Sequence, residues 1–378
     1  MMNKLKYFLP NKARCGIMFL LSWLFLSVSS ATGRDIKVID ENDHIPLPGT
    51  TVIGNSGLIL GVTDESGNIP EPSANQYPLS IRSIGYESSF VPSFTDTVRL
   101  TPALYTLNEV VVNSNERPIK RIVCFAREYA SGATGPDTLQ LYSEYMLEAF
   151  LKDSDRKVKG YKSGDADLKS RNVKRYCRVS DASGLDSVAR PNRNDDIIML
   201  SWENILQLPS DKFQESSAIA NGALADTIMG KYGPNTIYRK MNNLYTVTVD
   251  HLSEYEDHKW SPAIFKLLGL SMDLRKSTKS DAFNVTETGS YSIEDYIYST
   301  FTINLLAKGK FFKKTFKTDK PVEMDTYIEL YPVSIEYLTP EEYKESRKEK
   351  QEIPFRAPLN LQPLPEAIQK IVERVENL

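Results

Sequence analysis

The residues best placed to do chemistry are in the run Asp250-His251-Leu252-Ser253-Glu254-Tyr255-Glu256-Asp257-His258. His251, Glu254 and His258 supply imidazole and carboxylate groups, the donor types that ligate zinc. A catalytic zinc built on a His-x-x-Glu pair needs a further protein ligand, yet no histidine follows His258. Two readings remain: a surface zinc site through His251, Glu254 and His258, or solvated charge at the end of a strand over 244–250. Nucleophilic chemistry finds no Gly-x-Ser-x-Gly elbow, no cysteine within a catalytic signature and no phosphate-cradling glycine loop. With 49 acidic residues, carboxylate pairs arise by number alone and indicate no glycosidase geometry. The expectation is a chain without catalytic residues and without a cofactor.

A second run, Lys308-Gly309-Lys310-Phe311-Phe312-Lys313-Lys314-Thr315-Phe316-Lys317, mixes cations with aromatics. Strand alternation would put Lys310, Phe312, Lys314 and Phe316 on one face, which makes no clean stacking platform. A solvated hairpin is expected, with an anionic glycan or lipid headgroup site as the alternative.

These residues must be carried by something exported. Lys4, Lys6, Lys12 and Arg14 precede an apolar run from Ile17 to Val28, and Ser29 and Ala31 suit a signal peptidase, so residues 1–31 read as a signal peptide. Removing it takes four of the 46 basic residues and no acidic one, moving the formal charge from −3 to −7. That balance argues against nucleic acid, which needs a basic footprint. No second long apolar run exists, so no transmembrane segment is expected in the mature chain. Cys124 and Cys177 would then lie in an oxidising compartment, either bridged or as two buried thiols.

From Asp35 to Val112 short strands alternate with turn residues, the spacing of a β-sandwich. Four pieces stand in order: Pro46-Leu47-Pro48-Gly49-Thr50-Thr51-Val52, Gly61-Val62-Thr63-Asp64 with Gly67, Ser83-Ile84-Gly85-Tyr86, and Leu107-Asn108-Glu109-Val110-Val111-Val112. Together they resemble the carboxypeptidase-regulatory-like domain over about a fifth of the chain. The closing piece is similar to the segment before the plug of TonB-dependent receptors, although the remaining length is too short for such a barrel. The resemblance implies a seven-stranded-type sandwich over 35–113, with Gly49, Asp64, Gly67, Gly85 and Tyr86 in structural roles. Gly49 and Gly67 suit turns of positive φ, and Gly85 allows a close approach beside the Tyr86 ring. Pro70 and Pro72 depart from the pattern and predict a shortened or edge strand.

Residues 116–350 read as a β-rich α+β domain. Pro118 with Ile119, Ile122, Val123, Ala126 and Ala130 at helical spacing predicts a helix. Leu139 to Ala149 alternates as a strand, 153–196 reads mainly as loop around a strand at Tyr176–Val179, and Ile197 to Leu206 is a candidate short helix. Strands at 245–249, 297–303 and 326–330 alternate apolar with polar residues. Val333, Ile335 and Tyr337 then continue after Pro332, predicting consecutive antiparallel strands of a curved sheet with one core face and one wet face. A capping box at Thr339-Pro340-Glu341-Glu342 opens a helix ending near Lys350. Residues 351–365 should be extended, and Glu366 to Leu378 forms an amphipathic helix that docks on the parent domain or binds a partner.

The fold class is thus mainly β, a sandwich followed by an α+β domain with a curved antiparallel sheet. The function expected is a non-enzymatic binding or scaffold protein of a bacterial envelope, in the periplasm or at the outer-membrane surface, contacting a partner protein, glycan or lipid. The alternatives are a half-barrel-like periplasmic carrier of an apolar ligand and a protein related to metallopeptidases, whose zinc pair the His-x-x-Glu spacing resembles.

Overall fold

The computed structural model describes residues 34–103, 117–135, 137–152, 157–192, 195, 201–203, 206–210, 212–230, 235–241, 243–252, 270–316, 318–349, 351–358 and 361–378. The signal-like residues 1–31 and the Leu107–Val112 piece lie outside them, as do Glu254, His258 and most of the 197–206 segment.

Seven short strands build the first unit: β1 (Asp35–Asp40), β2 (Thr51–Ile53), β3 (Ile59–Val62), β4 (Asn68–Pro70), β5 (Leu79–Arg82), β6 (Ser89–Val91) and β7 (Thr97–Leu100). They form two sheets, ordered β4-β1-β7 and β3-β2-β5-β6, around Ile36, Val38, Val52, Leu79, Ile81, Val98 and Leu100. As the prolines predict, β4 has three residues and lies at a sheet edge.

The motif residues set the turns of this sandwich. Asp64 Oδ1 accepts the N–H groups of Ser66 and Asn68 at 2.9 and 2.8 Å, closing the loop that Gly67 completes at φ +75°. A Cβ on Gly67 would stand 2.6 Å from the Val38 carbonyl oxygen, so backbone strain and a steric clash coincide. Gly67→Ala is therefore expected to cost at least about 1–2 kcal/mol in a urea melt, because neither the positive φ nor the backbone contact can relax. A melt unchanged from wild type would show the turn to be looser than it looks.

The larger sheet has ten strands, all neighbours antiparallel, and carries the helices and the tail. In chain order its strands are β8 (Ile119–Thr134), β9 (Asp137–Lys152), β10 (Lys169–Ser180), β11 (Asp186–Ala189), β13 (Ala225–Ile228), β14 (Asn235–Met241), β15 (Leu244–Asp250), β16 (Leu270–Asn284), β18 (Tyr296–Gly309) and β19 (Val322–Leu338). Across the sheet they run β11-β10-β9-β8-β19-β18-β16-β15-β14-β13, and among the described residues the two edge strands are not paired with each other, so it remains an open curved sheet. A separate two-stranded ribbon joins β12 (Lys212–Gln214) to β17 (Ser290–Ser292). Among the described residues no helix is long and apolar enough to cross a membrane.

Several local expectations are corrected. Residues 119–134 form a strand instead of a helix, because β8 sits in the sheet interior with both faces covered, giving a near-continuous apolar run instead of alternation. Residues 310–316 form a helix instead of a solvated hairpin, and its i, i+4 pair Phe312 and Phe316 is buried against Leu139, Leu141, Ile303 and Met324. β19 is one strand through Pro332, where a register shift absorbs the missing N–H, so the expected pair of consecutive strands is a single bulged one. Strands β10 and β11 occupy 169–180 and 186–189, much of what was expected to be loop.

The Thr339 capping box is present and starts a helix over Pro340–Ser346, shorter than expected. The described residues from Gln351 to Pro365 carry neither helix nor strand, and the helix that follows, Glu366–Glu376, docks on the chain's own sheet. Ile368, Ile371 and Val375 pack on Tyr129, Tyr142, Tyr176 and Tyr327 together with Ile53 and Ile59 of the sandwich.

Cys124 and Cys177 are free and buried, which corrects the candidate disulfide. On the shared neighbour β9 they lie opposite Leu147 and Leu141, on different sides of that strand. Six residues of extended chain amount to roughly 20 Å, far beyond the ~7 Å that a disulfide spans between Cα atoms. Burial raises the proton affinity of both thiols.

Candidate functional site

Period-two alternation along neighbouring strands places polar side chains in rows across one face of the curved sheet. One row is Thr248, Ser280, Thr300 and Glu329; the next is Asp250, Thr278, Thr302 and Tyr327; a third is Lys276, Asn304 and Asp325. This is the face expected to be wet. Instead the sandwich lies on it, leaving Thr246, Thr300 and Thr302 buried.

The sandwich is held there by side chains from both units. Arg82 of β5 donates to Glu329 Oε1 at 2.6 Å, with both side chains almost fully buried, and also donates to the Pro363 carbonyl of the tail. Burial, the largest influence, would lower the proton affinity of Arg82, but Glu329 together with Tyr129, Tyr327 and Tyr331 outweighs it and the net shift is upward. The Tyr298 hydroxyl accepts the Gly85 N–H, where a Cβ would meet Leu244 Cδ1 at 2.7 Å, so Gly85 permits a close approach to the sheet. Tyr86 is buried beside it and donates to Asp40 Oδ2 at 2.7 Å. Gln362 clamps both parts: its side-chain oxygen accepts the Ser88 N–H at 2.8 Å, while its carbonyl accepts from Arg127 at 2.6 Å.

Contact is incomplete, and a cleft of two lobes remains between sandwich and sheet. The larger, about 570 Å³, runs between Leu58–Val62 and a wall that includes Arg275, Lys276, Asn304, Glu323 and Asp325. The smaller, about 250 Å³, lies under Leu47–Gly49, Thr63–Glu65 and Ile84, over the hydroxyl rows and Arg239. Lys276 and Thr302 line both lobes. The larger lobe falls within the ~300–1,000 Å³ range of small-molecule and cofactor sites.

Burial pushes the Asp325 carboxyl up to about 6, against the pull of the Asn304 amide that donates to it at 2.7 Å. Glu323 accepts from the same amide at 3.2 Å and pairs with Arg275 at 3.3 Å. Burial lowers the proton affinity of Lys276, opposed by the charges of Asp250 and Asp64, and lowers that of Arg239. The cleft thus offers hydroxyls, an amide, carboxylates and cations, suited to recognising a polar ligand by hydrogen bonds.

Of the metal candidates only His251 is among the described residues, and it lines neither lobe, whereas the motif residues Gly49, Asp64 and Tyr86 line the smaller one. His251 lies at the surface in the turn after β15, its N–H bonded to the Ser277 carbonyl at 2.9 Å, and partial desolvation of the ring lowers its proton affinity. Among the described residues no three His, Cys, Asp or Glu side chains converge on a metal position. Lys276, Arg239, Asn304 and Asp325 were missed; the Thr246, Thr248, Thr300 and Thr302 alternation was the one sequence signal pointing to this face.

The opposite face of the sheet is apolar and filled by the chain itself, with Phe213, Tyr245, Phe283 and Tyr291 in mutual ring contact. A fully buried carboxylate lies within it: Glu128 accepts from Tyr145, from Ser201 Oγ at 3.1 Å and from the Trp202 N–H at 2.8 Å. Burial nevertheless pushes it up to about 7. Because the folded-state value exceeds the unfolded one, near 4.3, the folded chain holds this proton more tightly. That stabilisation is complete below the unfolded value and is lost as pH rises through about 7. Wild type is therefore expected to lose stability relative to Glu128→Gln over that window, read from urea melts; parallel curves would refute the shift.

No known family model matches the chain, and no curated protein matches it. Two solved structures show low likeness. Lipovitellin, described for its lipid–protein interactions, aligns at TM-score 0.27 and 13% identity over 66% of this chain and 27% of that one. A putative AttH from Nitrosomonas europaea aligns at 0.15 and 9% over 60% and 54%. The chain therefore spans about a quarter of the first and about half of the second, and likenesses this low carry no argument.

Proposed function

We propose that this chain is a non-catalytic binding protein of a bacterial cell envelope, in which a carboxypeptidase-regulatory-like sandwich and a curved sheet jointly wall one polar ligand cleft. The observation that carries this reading is the two-lobed cleft, whose lining comes from both units and whose lobes meet at Lys276 and Thr302. The signal-like N-terminus and the ordered glycine and tyrosine motifs support export and the module's kinship. The apolar face gives a lipid carrier less to work with, since the chain's own aromatic rings occupy it.

The test is calorimetric titration with capped peptides, envelope oligosaccharides and lipid micelles, on wild type and on Lys276→Tyr, which fills the junction of the lobes. One polar class is expected to bind, with affinity lowered about tenfold or more in the variant. Binding of no class, or binding indifferent to Lys276→Tyr, would overturn the reading. Lipid retained in native mass spectra would replace it with the carrier, and stoichiometric zinc with a metallopeptidase relative.

A further inference from the structure

The larger lobe is bounded along one side by an entire strand. Leu58 to Val62 all line it, and β3 within that stretch is the edge of its sheet, paired among the described residues only with β2. The direction of its backbone groups follows from its neighbours. Thr63 donates its N–H to the Thr50 carbonyl at 2.9 Å and accepts the Gly49 N–H at 3.0 Å, so Thr63 faces β2. By alternation Val62, opposite Thr51, turns its N–H and C=O away from β2 and into the lobe. At the other end of β3 the Ile59 N–H is taken by Ser131 Oγ at 3.3 Å, closing the lobe there and leaving the edge beyond it unpaired by any described strand.

Edge groups of this kind are a template for another strand, and most proteins cover or blunt them. Here the edge is neither covered nor exposed flat to solvent but faces a walled cleft. On the far wall stand Lys276, which makes no ion pair among the described residues, and Thr302, whose hydroxyl can both donate and accept.

We infer that the larger lobe binds an extended polypeptide segment of a partner protein, added as a strand to the free edge of β3 with an acidic side chain facing Lys276. This rests on the proposed binding function and names its ligand class. Main-chain pairing supplies affinity in such complexes and side chains at alternate positions supply selectivity, which matches an edge strand on one wall and a charged, hydroxylated surface on the other. A saccharide would meet the far wall equally well but would leave the Val62 amide and carbonyl without the spaced partners that a peptide backbone offers.

The test uses a display library of random peptides roughly eight residues long, about twice the length of β3, with the enriched peptide resynthesised and N-methylated one amide at a time. Methylation at alternate amides is expected to weaken binding about tenfold each, with the intervening amides indifferent. Val62→Pro, which removes the edge N–H at a position where proline does not break the ladder to β2, should weaken binding similarly, while Val62→Ala should not. Far-ultraviolet spectra and melting temperatures establish that each variant folds. Failure to enrich a peptide, loss of the period-two pattern, or binding of oligosaccharide instead would overturn the peptide assignment. In the last case the cleft reading survives; if no ligand class binds at all, both fall.

Discussion

Glu329→Ala is expected to destabilise the protein by about 3–5 kcal/mol, because it strands the Arg82 guanidinium in the interface without its counter-charge. Side-chain exposures of 2% and 3% for this pair leave little water beside it to compensate. The ring of Tyr129, 5.6 Å from the guanidinium, and the Pro363 carbonyl remain as partners but supply no formal negative charge. Replacing both members, Arg82→Met with Glu329→Leu, should recover much of the loss, since an apolar pair of similar volume avoids the desolvation cost altogether. Urea melts of the single and double variants form the check. A single variant within about 0.5 kcal/mol of wild type would mean that the sandwich does not hold Arg82 in the interface.

Deleting residues 351–378 should have an effect at least as large, on the order of 5 kcal/mol, from exposing the surfaces that Ile368, Ile371 and Val375 now bury at about 1.5–3 kcal/mol each. The loss is directional. The helix covers a chain of tyrosine rings running Tyr327, Tyr129, Tyr142, Tyr176, with successive centroids 5.3–5.9 Å apart, and the extended part supplies the Gln362 and Pro363 contacts to the sandwich. Hydrogen exchange should therefore accelerate in β3, β10 and β11, which the tail touches, and much less in β15 and β16. Uniform acceleration would indicate global unfolding, and unchanged protection in β10 and β11 would refute the docked helix. The amphipathic pattern at Ile368, Ile371 and Val375 was plain in the sequence, but its surface was not, because the four tyrosines come from four strands.

The same contrast runs through the candidate site. Asp64, Gly67 and Gly85 were legible because each does a local job, closing a turn or taking a positive φ, that leaves its mark within a few residues. Thr300 and Thr302 were legible as one face of a strand but were expected in water. Lys276 and Asp325 were not legible at all, since their significance comes from strands β16 and β19 being brought to either side of β18.

Residue order alone therefore determined what depends on neighbours along the chain: a mainly β architecture, short strands separated by turns in the first unit, the edge position of the proline-interrupted strand and the capped helix after Thr339. Only the tertiary structure decided what depends on distant chain. It turned 119–134 into a strand by burying both faces, kept Cys124 and Cys177 apart across β9, and set the sandwich on the polar face of the sheet. The physical reason is that local patterns report each residue's own backbone preference and sidedness, whereas a site at a junction is made by surfaces that meet only after both have folded.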